Sequence, residues 1–231
     1  VPSTKCLVEI LYIFVEINID IEHLVKTIEY NFDKSYYLYL LASIQFNSSL
    51  FLLKRVLIEK GYDKNKLIIP QCKPRVQGEV LGCTSPKLDK KSDNCVVIFV
   101  CDGRFHMESV MIQNPFLEFY QYNPFNHRFT IEEYDYKQMQ KIRFGQIEKF
   151  KKMKYIGIIF GTLGRQGNPS ILKRLCNLLD KYNKKYVIIM LNEITEAKII
   201  NYNKCECFIQ LACPRLSVDW SDQFSKPMLT P

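Results

Sequence analysis

Two of the nine cysteines in this chain stand where a thiolate can act. Cys83 lies in Leu81-Gly82-Cys83-Thr84-Ser85-Pro86 and Cys213 in Leu211-Ala212-Cys213-Pro214, each after an apolar-small pair at a strand exit or in a loop. A thiolate so placed serves as a nucleophile or a soft metal ligand. The remaining cysteines read differently. Cys95, Cys101 and Cys176 fall within apolar runs, and Cys205 and Cys207 form a CxC whose strand period puts both on one side as buried thiols. Cys6 and Cys72 have no partner at ligand spacing, and no CxxC, CxxxCxxC or Cys/His zinc spacing occurs. Two thiolates alone are an incomplete metal site, so either a third ligand comes from elsewhere or the pair is incidental.

Two further segments have the composition of ligand loops. Gly161-Thr162-Leu163-Gly164-Arg165-Gln166-Gly167-Asn168-Pro169 follows a strand and opens a helix, with Asn168 as N-cap and Pro169 as first helical residue. Its glycines allow close backbone approach and its helix start offers N–H groups to a carboxylate or phosphate. Their spacing matches neither the dinucleotide nor the ATP-binding glycine pattern. Asp102-Gly103-Arg104-Phe105-His106 also follows a strand, and His106 is the one histidine in a plausible site. His23, in a helix, and His127, in a polar turn, read as structural or exposed.

Strand-like and helical runs alternate along the chain, the pattern of an α/β fold with parallel strands. Strands are expected at Ile10 to Ile17, Tyr36 to Ile44, Leu67 to Ile69 and Cys95 to Cys101, the last so apolar that it should be central. Asp20 should cap a helix burying Ile21, Leu24, Val25 and Ile28; Ser48 or Ser49 should open a second, with Gly61 as its stop. The pattern then restarts. A long helix from Glu132 to Met153 leads to a strand at Tyr155 to Phe160, a helix from Pro169, a strand at Tyr186 to Leu191, a short helix near Thr195 to Ile200 and a strand at Glu206 to Leu211. The second half thus reads as a partial copy of the first, with ligands expected beyond the carboxyl ends of the strands.

Composition narrows the function. With 231 residues, 47% hydrophobic and 24% charged, the chain has enough core to fold without a metal, so a metal here would serve chemistry. The formal charge of +8 comes from lysines scattered among acidic residues, a solvated surface rather than a nucleic-acid groove. No apolar run is long enough to span a membrane. An odd cysteine count without a signal peptide indicates a reducing compartment, the cytoplasm.

Five ordered blocks carry a resemblance: Pro70 to Pro74, Gly78 to Pro86, Asp102 to Ser109, Gly161 to Pro169, and Ala212-Cys213-Pro214-Arg215-Leu216-Ser217, followed by the end Lys226 to Pro231. From about Ile10 to Pro231 the chain closely resembles the diphthamide synthase subunit 1 family, the last block favouring subunit 1 over its paralogue. The resemblance implies repeated small parallel-sheet α/β domains, two of the family's three arranged about a pseudo-threefold axis. Residues 1–8 would be a remnant of the first domain or a linker, 9–135 the second domain with Cys83, and 136–231 a C-terminally truncated third domain with Cys213. In the family each domain gives one cysteine to a 4Fe-4S cluster. The third ligand would then precede Val1, and Cys6 does not align with it.

The implied activity is a radical transfer of the 3-amino-3-carboxypropyl group of S-adenosylmethionine to an imidazole carbon of one histidine in translation elongation factor 2, the first step of diphthamide biosynthesis. Three thiolates leave one iron open for the amino-acid end of S-adenosylmethionine, whose sulfonium then accepts an electron. The family breaks the bond to the γ-carbon, so the missing CxxxCxxC run accords with the resemblance. Cys83 and Cys213 are the implied metal ligands. Gly161, Thr162, Gly164, Arg165, Gln166 and Arg215 are expected at the cofactor, its carboxylate meeting Arg165 and the loop amides. Arg104 and His106 are expected in the same pocket or beside the substrate imidazole. Implied partners are diphthamide synthase subunit 2 in a heterodimer, elongation factor 2 as substrate and a small zinc-binding electron donor, without direct nucleic-acid or membrane contact. Two alternatives are a non-catalytic fragment or subunit that pairs with subunit 2 without a complete cluster, and an iron-free nucleotide-binding α/β transferase.

Overall fold

The computed structural model describes residues 15–164 and 166–231. The chain divides into two compact units, the first ending at Tyr134 and the second running from Asp135 to Pro231. In the first, the described elements are α1 (Ile21–Asn31), β1 (Tyr37–Ala42), α2 (Asn47–Glu59), β2 (Leu67–Ile68), β3 (Cys95–Val100), α3 (Phe105–Gln113), β4 (Glu118–Asn123) and β5 (Arg128–Glu132). The sheet order is β2-β1-β3-β4-β5, parallel except for the antiparallel β4–β5 pair. β3 is central and buried at every position because helices and loops cover both of its faces. On one face Leu38, Leu40, Val96, Ile98 and Val100 pack with Leu24 and Ile28 of α1 and Leu50, Leu53 and Leu57 of α2. Each such side chain contributes about 1.5–3 kcal/mol of burial.

The second unit comprises α4 (Tyr136–Lys151), β6 (Tyr155–Gly161), α5 (Pro169–Lys181), β7 (Lys185–Leu191), α6 (Glu196–Ile199), β8 (Cys207–Leu211), α7 (Arg215–Val218) and β9 (Met228–Leu229). Its four described strands are all parallel, in the order β7-β6-β8-β9. Counted in chain order, β1 to β4 and β6 to β9 share one spatial arrangement: second, first, third, fourth. The repeat therefore lies in the strand order. The two cysteine tripeptides do not occupy equivalent steps, since Cys213 follows the third strand of its sheet and Cys83 lies between the second and third. In each sheet the chain reverses direction of growth between the first and third strands, β1 and β3 or β6 and β8, which opens a crevice at their carboxyl ends.

Local signals set several boundaries. Asp20 Oδ1 accepts the His23 N–H at 2.9 Å, and α1 buries Leu24, Val25 and Ile28 as its apolar spacing requires. The strand expected from Ile10 falls partly outside the described residues, and Val15 to Ile17 form no strand; the Ile17 N–H is instead taken by the Gln45 carbonyl. Neither Ser48 nor Ser49 caps α2, because a 3-10 turn at Ile44–Phe46 winds straight into it. The β4–β5 hairpin, which the residue spacing does not predict, shortens the helix expected from Glu132 to α4, in which only Gln146 is buried. Cys205 and Cys207 are both buried but face opposite clusters, Cys205 with Phe208 and Cys207 with Ile209. Cys205 precedes the strand in a turn, so the two-residue strand period does not reach it.

Candidate functional site

In the second unit, β6 and β8 run side by side with Phe160 opposite Leu211. Their exits are pressed together: a Cβ on Gly161 would lie 2.7 Å from the Ala212 methyl. Beyond Gly161 the loop turns through Gly164 at φ +62°, a left-handed conformation with open space around it. It closes where the Gly167 N–H meets the Gly161 carbonyl at 3.0 Å. Asn168 then caps α5, accepting from Ser170 at 2.9 Å and Ile171 at 3.4 Å. Two donors that the sequence assigns to a ligand are thereby satisfied within the loop, and the Thr162 N–H is taken by the Leu191 carbonyl at 2.8 Å. Gln166 lines a cleft of about 190 Å³ with Asn168, Ile171, Ala212, Pro214 and Thr230, so the glycine loop and the residues flanking Cys213 share one hollow. Arg165 lies outside the described residues.

Below the cleft, Arg215 is only 3% exposed, and its Nε lies 2.8 Å from both Asp219 carboxylate oxygens. A buried guanidinium demands such a partner. Arg215 therefore braces α7 and is not among the cleft-lining residues. A larger hollow of about 570 Å³ opens at the amino ends of β6 and β7, lined by Tyr155, Lys185, Tyr186, Tyr202 and Cys205. None of the sequence-predicted site residues lines it, and parallel sheets place ligands at the other edge.

Cys83 occupies the tip of a tight turn in the first unit, closed by two 3.2 Å backbone hydrogen bonds between Leu81 and Thr84. Upstream, the chain runs beside the carboxyl end of β1, where Ala42 accepts from Val80 at 3.2 Å and donates to Gly78 at 3.0 Å. The buried Glu79 carboxylate draws in the loop before it, accepting from the Val76 N–H at 3.2 Å. At the tip, the Phe105 ring occupies the space that a Cβ on Gly82 would need. Downstream, Ser85 meets Ser109 hydroxyl to hydroxyl, while the fully buried Asn114 donates to Pro86 O at 3.0 Å and accepts from Leu88 N at 2.7 Å. The cysteine turn is thus fastened to α3. His106 is half-buried in α3, its ring edge-on to Phe105 at 5.5 Å. Arg104 pairs with Glu108 and Glu132 and donates to the Glu133 carbonyl at 2.8 Å, tying the start of α3 to the end of β5.

Iron–sulfur ligation needs thiolates that reach open space. Burial pushes the thiols of Cys95, Cys101, Cys205 and Cys207 up, those of Cys101 and Cys207 to about 12, and holds all four as inert core groups. Cys176 is half-buried and packs against the core, and Cys72 lies in the loop before Gly78. Cys83 is exposed and Cys213 half-buried, each in a braced turn at the carboxyl edge of its own sheet. Among the described residues no three His, Cys, Asp or Glu side chains gather to hold a metal ion. The thiols of Cys83 and Cys213 are soft sulfur donors of the kind that iron–sulfur clusters take.

Several bracing residues escaped the sequence reading. Gln210 is a polar interruption in the apolar strand Cys207-Phe208-Ile209-Gln210-Leu211, a visible signal. Asn114 leaves no comparable mark, and Phe105, though inside a singled-out segment, shows no bracing role there, because their partners Leu88 and Gly82 come from distant segments.

Comparison with known proteins follows the same lines. A crystal structure of Dph2 from Pyrococcus horikoshii superposes with a TM-score of 0.74 at 23% identity, covering 94% of this chain and 61% of that one. A second, with a 4Fe-4S cluster, gives 0.73 at 22% identity with the same coverages. Curated proteins named 2-(3-amino-3-carboxypropyl)histidine synthase subunit 1 match the whole chain, at 42% identity in Schizosaccharomyces pombe and 45% in Encephalitozoon cuniculi. The chain spans 53% and 64% of their lengths, respectively. Among the described residues no helix is long and apolar enough to cross a membrane. The family model described as "Putative diphthamide synthesis protein" matches residues 1–231, and the chain belongs to that family.

Proposed function

We propose that this chain is part of a transferase that moves the 3-amino-3-carboxypropyl group of S-adenosylmethionine to a histidine imidazole carbon of elongation factor 2, with Cys83 and Cys213 as ligands of a 4Fe-4S cluster. The observation that carries the reading is the contrast among thiols: Cys83 and Cys213 sit in braced turns at carboxyl edges, while four others are sealed in the core. When bound, the cluster supplies an electron and an open iron position for the amino-acid end of S-adenosylmethionine.

The chain's own residues then position the reactants. A cleft of about 190 Å³ is smaller than the usual 300–1,000 Å³ of ligand pockets, so it suits one end of the cofactor. Gln166 lines it as a polar contact, Arg165 supplies the cation for a carboxylate, and Gly164 leaves room for close approach. His106, next to Phe105 and so close to the Cys83 turn, orients the substrate imidazole, and Arg104 holds the start of α3 beneath it. The proposed partners are diphthamide synthase subunit 2 and a small zinc-binding electron donor, in the cytoplasm.

The test is anaerobic transfer of label from S-adenosylmethionine, labelled in its aminocarboxypropyl group, to elongation factor 2 by the protein co-purified with subunit 2. Label on the histidine that is lost in His106→Ala while iron content stays unchanged supports the assignment. Full turnover in that variant returns His106 to a structural role, and no transfer by the parent complex ends the reading.

A further inference from the structure

We infer that Gln210 is a positioning residue for Cys213, one that fixes the strand-exit turn and so holds the half-buried thiol in a single orientation. The inference rests on the reading of Cys213 as a cluster ligand. Gln210 belongs to β8 and is 2% exposed. Its Nε2 donates to the Cys213 carbonyl at 2.8 Å and to Ser217 Oγ at 2.9 Å, and its Oε1 accepts the Ala212 N–H at 2.8 Å. One carboxamide thereby fastens both backbone groups of the turn that the strand ladder has released, and ties them to the helix that follows.

Physical economy argues that this is more than filling. A buried amide has to satisfy its polar groups to avoid a desolvation penalty, and an aliphatic chain would fill the same volume without that requirement. Among the surrounding residues of β8, Phe208, Ile209 and Leu211 are apolar. What the amide adds is geometry: residues 212 and 213 are held on one side by Gly161 packing on Ala212 and on the other by Gln210. The Cys213 carbonyl also accepts from the Leu216 N–H at 3.1 Å, so the turn and α7 move as one piece.

Gln210→Met keeps the shape and loses every hydrogen bond, Gln210→Glu keeps the acceptor for Ala212 and loses both donors, and Ser217→Ala removes a single anchor at little risk to folding. Two quantities are read: the alkylation rate of Cys213 in the metal-free protein, with Cys83 in the same sample as internal reference, and the iron content and electron paramagnetic resonance line shape of the reconstituted protein. The expected result is a rise of about fivefold in Cys213 alkylation in both Gln210 variants, a smaller rise in Ser217→Ala and an unchanged Cys83. An altered line shape and reduced iron should accompany it. Unchanged Cys213 rates and line shapes in the folded variants overturn the inference alone. Should Gln210→Met fail to fold, Gln210→Glu and Ser217→Ala decide. A full-length parent subunit that takes up no iron overturns the cluster reading, and this inference with it.

Discussion

Gly161 and Ala212 meet almost backbone to backbone: a Cβ on Gly161 would stand 2.7 Å from the Ala212 Cβ and 3.2 Å from its Cα. The glycine loop after β6 and the Cys213 turn after β8 are therefore one assembly, and crowding one displaces the other. Gly161→Ala should destabilise the protein by about 1–3 kcal/mol, because the obstruction includes backbone and cannot rotate away. Urea unfolding measures this, and an unchanged midpoint would mean that the two exits are not in contact.

Gly82 bears the same relation to Phe105 in the first unit. Gly82→Ala has to push the Phe105 ring aside, which should cost about 1–3 kcal/mol and expose the Cys83 turn to proteolysis. Gly145 is the control. It lies inside α4 with open space where a Cβ would go, so Gly145→Ala should stabilise the helix by about 0.5–1 kcal/mol. Equal losses in both variants would refute the assignment of Gly82 to close packing.

Alkaline pH should weaken the fold through its buried thiols. Cys101 and Cys207 are pushed by burial from 9.0 to about 12 in the folded protein. The unfolded chain therefore releases these protons first, so the stability they confer is complete below the ordinary thiol value and is lost as pH climbs toward the folded one. Thermal midpoints recorded from about pH 8 to pH 11 should fall, with a shallower slope in Cys207→Ala. A parallel slope in that variant would show that Cys207 ionises equally in both states.

Periodic and capping signals were readable where a segment's fate depends on its own residues. Asp20 before Ile21, Leu24, Val25 and Ile28, and Asn168-Pro169 before Leu175 and Leu179, produce the helices that their spacing requires. The β4–β5 hairpin was not readable, because Glu118–Asn123 mixes Glu, Gln and Asn with aromatics, and its pairing with β3 rather than its own pattern makes it a strand. Strand spacing misplaces Cys205 for a related reason: the period holds only inside the strand, and β8 begins at Cys207.

The candidate site divides along the same line. Cys83, Cys213 and the glycine loop stand out as residue types that a core has no use for at loop positions. What holds them does not stand out. Arg215 looked like a ligand contact by its nearness to Cys213 in sequence, but the fold gives its guanidinium to Asp219, one helical turn on. Loop amides looked available to a ligand, but Leu191 and Asn168 satisfy those of Thr162, Ser170 and Ile171. Sequence spacing locates reactive groups, and only the folded hydrogen-bond inventory shows which of them are already committed.

The most direct measurement is iron and acid-labile sulfide content of the full-length subunit after anaerobic reconstitution, for the parent and for Cys83→Ala, Cys213→Ala and the control Cys72→Ala. The account predicts about four irons in the parent and in the control, and loss of the normal cluster in each of the other two. Parent-level iron and sulfide in either Cys83→Ala or Cys213→Ala would contradict it.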